Sequence, residues 1–142
     1  MKIPKIAPDS ALFQKSLLKI AKEAGEAILT FYNQLMPVDI RMKENKTPVT
    51  DADLKANDVI RDALNLLTPD IPVISEEMAQ VPYETRRHWS QFWLVDPLDG
   101  TKEFINRTDD FTVNIALIYN HQPVVGIIYA PVFDTFYYAF QN

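Results

Sequence analysis

The chain predicts an α+β fold, or a layered α/β/α arrangement, on three grounds. Two segments of the first half repeat apolar residues at helical spacing. The second half alternates them at strand spacing, and short polar breaks of hairpin length join the later strands. From Ser10 to about Asn33 the apolar positions are Phe13, Leu17, Ile20, Ala24, Ala27, Ile28 and Phe31, which fall on one helical face. Asp9 or Ser10 supplies the N-cap, and Lys15, Lys19, Lys22, Glu23 and Glu26 mark the solvated side. Val38, Ile40 and Met42 alternate with Asp39, Arg41 and Lys43, which predicts a strand. A second helix is predicted from about Asp51 to Leu67, with Ala56, Val59, Ile60, Ala63, Leu64 and Leu67 as its stripe. Thr50 is its N-cap, and Thr50-x-x-Asp53 has the shape of a capping box.

Ile71 to Ser75 reads as a short strand that ends at Glu76-Glu77, and Met78 to Gln91 as a polar loop. Phe92 to Val95 is an apolar strand expected to stop at Asp96-Pro97. Phe111, Val113, Ile115, Leu117 and Tyr119 alternate with their neighbours, and Asn120-His121-Gln122 breaks the pattern before Val124 to Tyr129. Thr135 to Phe140 is a further, aromatic strand. Tyr129, Phe133, Phe136, Tyr137, Tyr138 and Phe140 crowd the end of the chain, where a terminus is ordinarily polar and frayed. The expectation is an open edge and face that a missing segment or another chain must cover.

The length of 142 residues suits one domain, and 47% hydrophobic with 23% charged residues is globular composition. There is no Cys, which excludes a disulfide framework, a thiolate nucleophile and a Cys-ligated zinc site. Only His88 and His121 are present, and Gly25, Gly100 and Gly126 stand singly, so no multi-histidine metal site and no glycine-rich phosphate loop is encoded. A metal held here must be held by oxygen, which favours hard cations such as Mg²⁺ or Ca²⁺. The net charge of −5 argues against a basic surface for nucleic-acid polymers or anionic lipid. The longest apolar run, Val124 to Phe133, is interrupted by Gly126 and Pro131 and is too short for a transmembrane segment. Met1 to Ser10 has no secretory apolar core, so a soluble cytoplasmic protein is expected.

Four acids stand at element ends: Asp53 in the first turn of the second helix, Glu76 after a strand, and Asp96 and Asp99 around Pro97-Leu98. Pro97 fixes φ and Gly100 permits a tight turn, so Asp96-Pro97-Leu98-Asp99-Gly100-Thr101 is expected to be a rigid turn aiming two carboxylates and a carbonyl at one point. The amides of Gly100 and Thr101, opening the next element, are placed to face an anion. Taken singly these features also read as a common β-turn and a helix cap. Lys102, Glu103 and Arg107 read as surface charges, and Trp89 and Trp93 as packing groups.

Taken in order, Pro48-Val49-Thr50-Asp51-Ala52-Asp53, Ile74-Ser75-Glu76-Glu77 and Trp93-Leu94-Val95-Asp96-Pro97-Leu98-Asp99-Gly100-Thr101-Lys102-Glu103-Phe104 resemble successive signatures of the inositol monophosphatase superfamily. Lys102-Glu103-Phe104, followed by Phe111-Thr112-Val113-Asn114-Ile115-Ala116-Leu117-Ile118, resembles its bacterial 3′(2′),5′-bisphosphate nucleotidase branch, whereas inositol monophosphatases proper tend to have Thr-Asn-Phe. The resemblance implies a layered fold with two N-terminal helices packed on a largely antiparallel sheet. It implies hydrolysis of a small phosphorylated metabolite such as 3′-phosphoadenosine 5′-phosphate, with a sugar phosphate as the alternative. It also implies two or more Mg²⁺ ions, Mn²⁺ as a substitute, inhibition by Li⁺ and peripheral association with the inner membrane.

By the same resemblance Glu76, Asp96 and the Leu98 carbonyl ligate a first Mg²⁺, while Asp96 and Asp99 hold a second, with Asp96 bridging. Asp53 helps orient the attacking water, and Thr101 works with an acid to activate it; Glu76 counts among the catalytic groups. Gly100 and Thr101 match phosphate-binding positions, with Glu76, Leu98 and Asp99 beside the substrate. Without Mg²⁺ the clustered acids are expected to repel and loosen the loops around Glu76 and Asp99. The resemblance fails in extent. Family members are close to twice this length, and their second half carries a Trp-Asp motif whose Asp completes the second metal site. Trp89 and Trp93 here precede Ser90 and Leu94. A chain acting as the first part of a two-domain enzyme is therefore expected to hydrolyse little alone. It would need a complementary half or a dimer, or else be an inactive fragment.

Overall fold

The computed structural model describes residues 10–34, 40–43 and 48–141. Asp9, Val38 and Asp39, named above for a cap and a strand start, lie outside them. The described elements are α1 (Ala11–Tyr32), β1 (Ile40–Met42), β2 (Pro48–Thr50), α2 (Asp51–Leu67), β3 (Val73–Ser75), α3 (Tyr83–Arg86), β4 (Gln91–Asp99), α4 (Thr101–Asn106), β5 (Thr112–Tyr119), β6 (Gln122–Ala130) and β7 (Thr135–Phe140). A five-stranded sheet runs in the order β3-β4-β5-β6-β7, with β3 parallel to β4 and every other pair antiparallel. β1 and β2 form a small separate antiparallel pair.

The two long helices pack side by side on one face of this sheet, α1 over β5 and β6 and α2 over β4. Their stripes, Leu17, Ile20, Ala24 and Ile28 on α1 and Ala56, Ile60 and Leu64 on α2, are fully or almost fully buried. They meet Trp93, Val95, Val113, Ile115, Leu117, Val125, Ile127 and Tyr129 from the inward positions of the strands. Alternation leaves Leu94, Ile128 and Tyr137 on the other face, exposed at 46%, 45% and 64%. Trp93 is a packing group as expected, its indole N–H donating to the Thr68 hydroxyl at 2.9 Å. Among the described residues no helix is long and apolar enough to cross a membrane.

Close approach of α1 to β6 depends on Gly25. A Cβ there would lie 2.4 Å from the Tyr129 ring, which is itself stacked on Phe136 at 4.2 Å and tied by its hydroxyl to Asp134 at 2.9 Å. Gly25→Ala should therefore destabilise the chain by about 1–3 kcal/mol in urea unfolding despite its better helix propensity, because the ring has nowhere to go.

Helix boundaries match the periodicity closely, and the two-residue turn between β5 and β6 is made by Asn120 and His121 at φ 47° and 66°. Three features differ from expectation. Pro48–Thr50 is a strand, paired with β1. Four residues of the polar loop, Tyr83–Arg86, form α3, too short to show a period. The strand expected to stop at Val95 continues as β4 to Asp99, a difference that shapes the site.

Candidate active site

A β-bulge makes the centre of the site. Asp96 pairs with Asn114 and Asp99 with Thr112, so two residues of β4, Pro97 and Leu98, stand opposite the single Val113. In a regular strand, residues three apart point to opposite faces. The one extra residue restores the parity and puts Asp96 and Asp99 on the same side as Asn114 and Thr112. Pro97 has no N–H to contribute to a ladder and is tolerated at the irregularity. The expected rigid turn is thus corrected to a bulged strand that continues into Gly100, and the two acids share a side because the ladder resumes.

Asp96 is the strained member. Its Oδ1 is buried and accepts no hydrogen bond from the described residues. Burial, then the negative charges of Glu76, Asp99, Glu77 and Asp53, push its carboxyl up to about 7. Asp99 is exposed, and its Oδ2 accepts from the Asn114 amide at 3.0 Å, while the Asn114 carbonyl accepts from the Thr112 hydroxyl at 2.9 Å. Glu76 follows β3, its N–H donating to the Val95 carbonyl at 3.2 Å, which seats it beside β4. Its side chain remains 63% exposed. Among the described residues no three of these side chains already converge as a metal cage. The donor set is nevertheless all oxygen, and one buried carboxylate oxygen lacks a partner among the described residues, amid like charges. Those residues fit a hard divalent cation.

Asp53 is fully buried at the start of α2, and both of its carboxylate oxygens accept hydrogen bonds. Its Oδ2 accepts from the Thr50 N–H at 2.9 Å and the Thr50 hydroxyl at 2.6 Å, completing the capping box. Its Oδ1 accepts from the Thr101 hydroxyl at 2.7 Å, across 48 residues of chain. The Leu98 carbonyl, 3.4 Å from the same hydroxyl, belongs to a buried residue. Cap and site are therefore one object: the acid that starts α2 also fixes Thr101. Gly100, at φ 92°, turns the chain into α4, and a Cβ there would sit 2.8 Å from the Asp110 carbonyl oxygen. Gly100→Ala combines the left-handed penalty with that clash and should cost about 2–4 kcal/mol, read as a lowered urea midpoint.

The sequence reading missed Lys43, and it gave Glu77 and Asn114 no role. Lys43 Nζ lies 2.6 Å from Glu77 Oε1 and 3.9 Å from Glu76 Oε2. Burial pushes the Glu77 carboxyl up despite the nearby ammonium. Burial opposes the charge on Lys43 too, but Glu77, Glu76 and Asp53 outweigh it and raise its pKa. This ammonium is a resident counter-ion beside the acids. His88 and His121 lie outside the site, in an exposed loop and a turn. A groove of about 500 Å³ on the sheet face opposite the two long helices is lined by Asp96, Asn114, Ala116, Gly126 and Ile128.

A layered α+β scaffold that presents a partly buried, oxygen-only acid cluster at a strand bulge narrows the class, and comparison with known proteins names it. The chain belongs to the inositol monophosphatase family, whose sequence model matches residues 10–142. It is 50% identical over 125 residues to the 3′(2′),5′-bisphosphate nucleotidase CysQ of Salmonella typhimurium, a match covering 88% of this chain and 50% of that protein. Among solved structures it resembles CysQ from Bacteroides thetaiotaomicron, at TM-score 0.76 and 43% identity over 90% of this chain and 45% of that one. It also resembles the extragenic suppressor protein suhB from Bartonella henselae, at TM-score 0.82 and 26% identity, with 93% of this chain and 50% of that one covered. The chain spans about half the length of the curated relatives it matches.

Proposed function

We propose that these residues form the cation-binding half of a phosphomonoesterase site of the 3′(2′),5′-bisphosphate nucleotidase type. The observation that carries this reading is the unpartnered, buried Asp96 Oδ1 among four other carboxylates, beside the Asp53–Thr101 pair. Identity of about half with nucleotidases supports the substrate class. Glu76, Asp96 and the Leu98 carbonyl would hold one divalent cation, and Asp96 with Asp99 a second; Mg²⁺ suits the donors. Cations bound there would supply Lewis-acid polarisation of the phosphate and lower the pKa of a water.

The chain's own residues do the positioning. Because the Thr101 proton is committed to Asp53, the hydroxyl oxygen presents lone pairs outward and accepts from a water rather than donating to it. A water that donates one O–H to Thr101 keeps its lone pairs free to face the side where a phosphate would rest. As its oxygen bonds to phosphorus and the ester P–O bond breaks, its proton passes toward Thr101, whose own proton moves onto Asp53, and the leaving oxygen takes a proton from solvent. Asp53, dry and already hydrogen-bonded to Thr50, stays still while this happens. Gly100 lets the backbone approach a phosphate where a side chain would intrude, and the Lys43 ammonium offsets part of the negative charge near Glu76.

The test joins this segment to the second half of the Salmonella relative. The folded hybrid is expected to release phosphate from 3′-phosphoadenosine 5′-phosphate in the presence of Mg²⁺, within about tenfold of the parent enzyme. A folded hybrid that is inert, or that works equally well with chelator, would overturn the proposal.

A further inference from the structure

The Asp99–Thr101 turn is braced by a segment that leaves the site. Asp110 packs on Gly100 so closely that a Cβ at Gly100 would stand 2.8 Å from the Asp110 carbonyl oxygen and 3.3 Å from Phe111 Cα. The segment before it is bent twice into the left-handed region, at Arg107 (φ 59°) and Asp109 (φ 69°), with no glycine to ease either position. Such a backbone keeps its shape only where its surroundings hold it.

Tyr32, in the last turn of α1, does the holding. Its hydroxyl donates to Asp109 Oδ1 and accepts from the Asp109 N–H at 3.2 Å. The ring meets Phe111 edge-on at 4.8 Å and Phe104 of α4 at 5.4 Å, and the Arg107 guanidinium carbon lies 4.4 Å from its centroid. Only 5% of the residue is exposed. Burial and the Asp109 carboxylate raise the phenol's pKa, so it remains a donor at neutral pH. One side chain thus touches the segment at Arg107, at Asp109 and through both flanking aromatics.

We infer that Tyr32 is a positioning residue: by clasping the segment from Arg107 to Asp110, it sets the carbonyl that Gly100 rests on. Through that contact it governs the aim of Asp99 and the reach of Thr101 to Asp53. This deepens the function proposed above, because the same turn carries both, yet the clasp is measurable with no cation or phosphate ester present.

Amide hydrogen exchange and chemical shifts in the 142-residue chain test it. Tyr32→Phe keeps the ring and deletes both hydrogen bonds. The Phe104 amide, which donates to the Gly100 carbonyl at 2.9 Å, should exchange at least about tenfold faster, and the Gly100 and Thr101 amide resonances should move. Amides of Ile60 and Leu64 in α2 should be unchanged. Asp109→Ala should reproduce the effect, whereas Asp109→Asn, which keeps an acceptor for the phenol, should stay within about twofold of wild type. The double variant Tyr32→Phe/Asp109→Ala should be no worse than either single change. Unchanged Phe104 exchange would overturn the clasp, as would equal acceleration of α2 or additive single effects. If the clasp behaves as expected but the wild-type chain binds no Mn²⁺, the preceding proposal falls and this one stands.

Discussion

Asp96→Asn should raise the stability of the cation-free chain at pH 8, although it removes a carboxylate from the centre of the site. The sign follows from linkage. In the folded chain this carboxyl titrates at about 7, against about 4 when unfolded. Between those values the folded state holds a proton that the unfolded state has lost. Stability therefore falls as pH climbs from about 4 to 7 and stays low above that. The penalty at pH 8 is about 1–3 kcal/mol, because Asp96 is only partly buried and solvent screens the exposed Glu76 and Asp99. A neutral amide avoids it, which corresponds to a melting temperature raised by roughly 5–10 °C. The advantage should fade toward pH 4, and thermal melts in chelator at the two pH values measure it. Added Mg²⁺ should stabilise the wild type and leave the variant unmoved. A variant less stable than wild type at pH 8 would contradict the picture of a charge-strained site.

The same acid-to-amide exchange at Asp53 should have the opposite sign. Asp53 accepts three hydrogen bonds and donates none. An asparagine has one acceptor oxygen and one amino group, so one side must present donor to donor. If the oxygen stays with Thr50, the amino group faces Thr101, whose hydroxyl must turn round to accept and then donate elsewhere. Loss of the charged cap should cost about 1–3 kcal/mol in urea unfolding. The reversed Thr101 hydroxyl no longer offers its lone pairs to a water, so hydrolysis by the hybrid enzyme should fall by about 10²-fold or more, with KM changed little. Activity within twofold of the parent would remove Asp53 and Thr101 from the mechanism.

Much of this was legible in the residues themselves. The α1 and α2 stripes follow the helical period over many turns, and Thr50-x-x-Asp53 announces the start of α2 because capping is local chemistry. The bulge was not legible. Asp96-Pro97-Leu98-Asp99-Gly100 has the composition of a turn, and only pairing with Thr112 and Asn114 keeps it in the sheet. Lys43 was hidden for another reason: its partner Glu77 lies 34 residues away, and strand alternation says nothing of what a polar side meets. Asn114 carried a signal that went unused. An asparagine in mid-strand, among Val113, Ile115 and Leu117, is poor β-former chemistry and asks for a polar partner, which Asp99 supplies. The resemblance gave Thr101 an acid to work with but not which one; its contact with Asp53 depends on the end of β4 and the start of α2 coming together, which no local pattern encodes.

Asp96, with Glu76 and Asp99, is proposed to hold a divalent cation. Calorimetric titration of the cation-free 142-residue chain with Mn²⁺ at pH 7.5 tests it most directly. The account predicts saturable binding, with protons released because Asp96 must ionise fully, and loss of that binding in Asp96→Asn. No saturable heat, or equal binding by the variant, would contradict it.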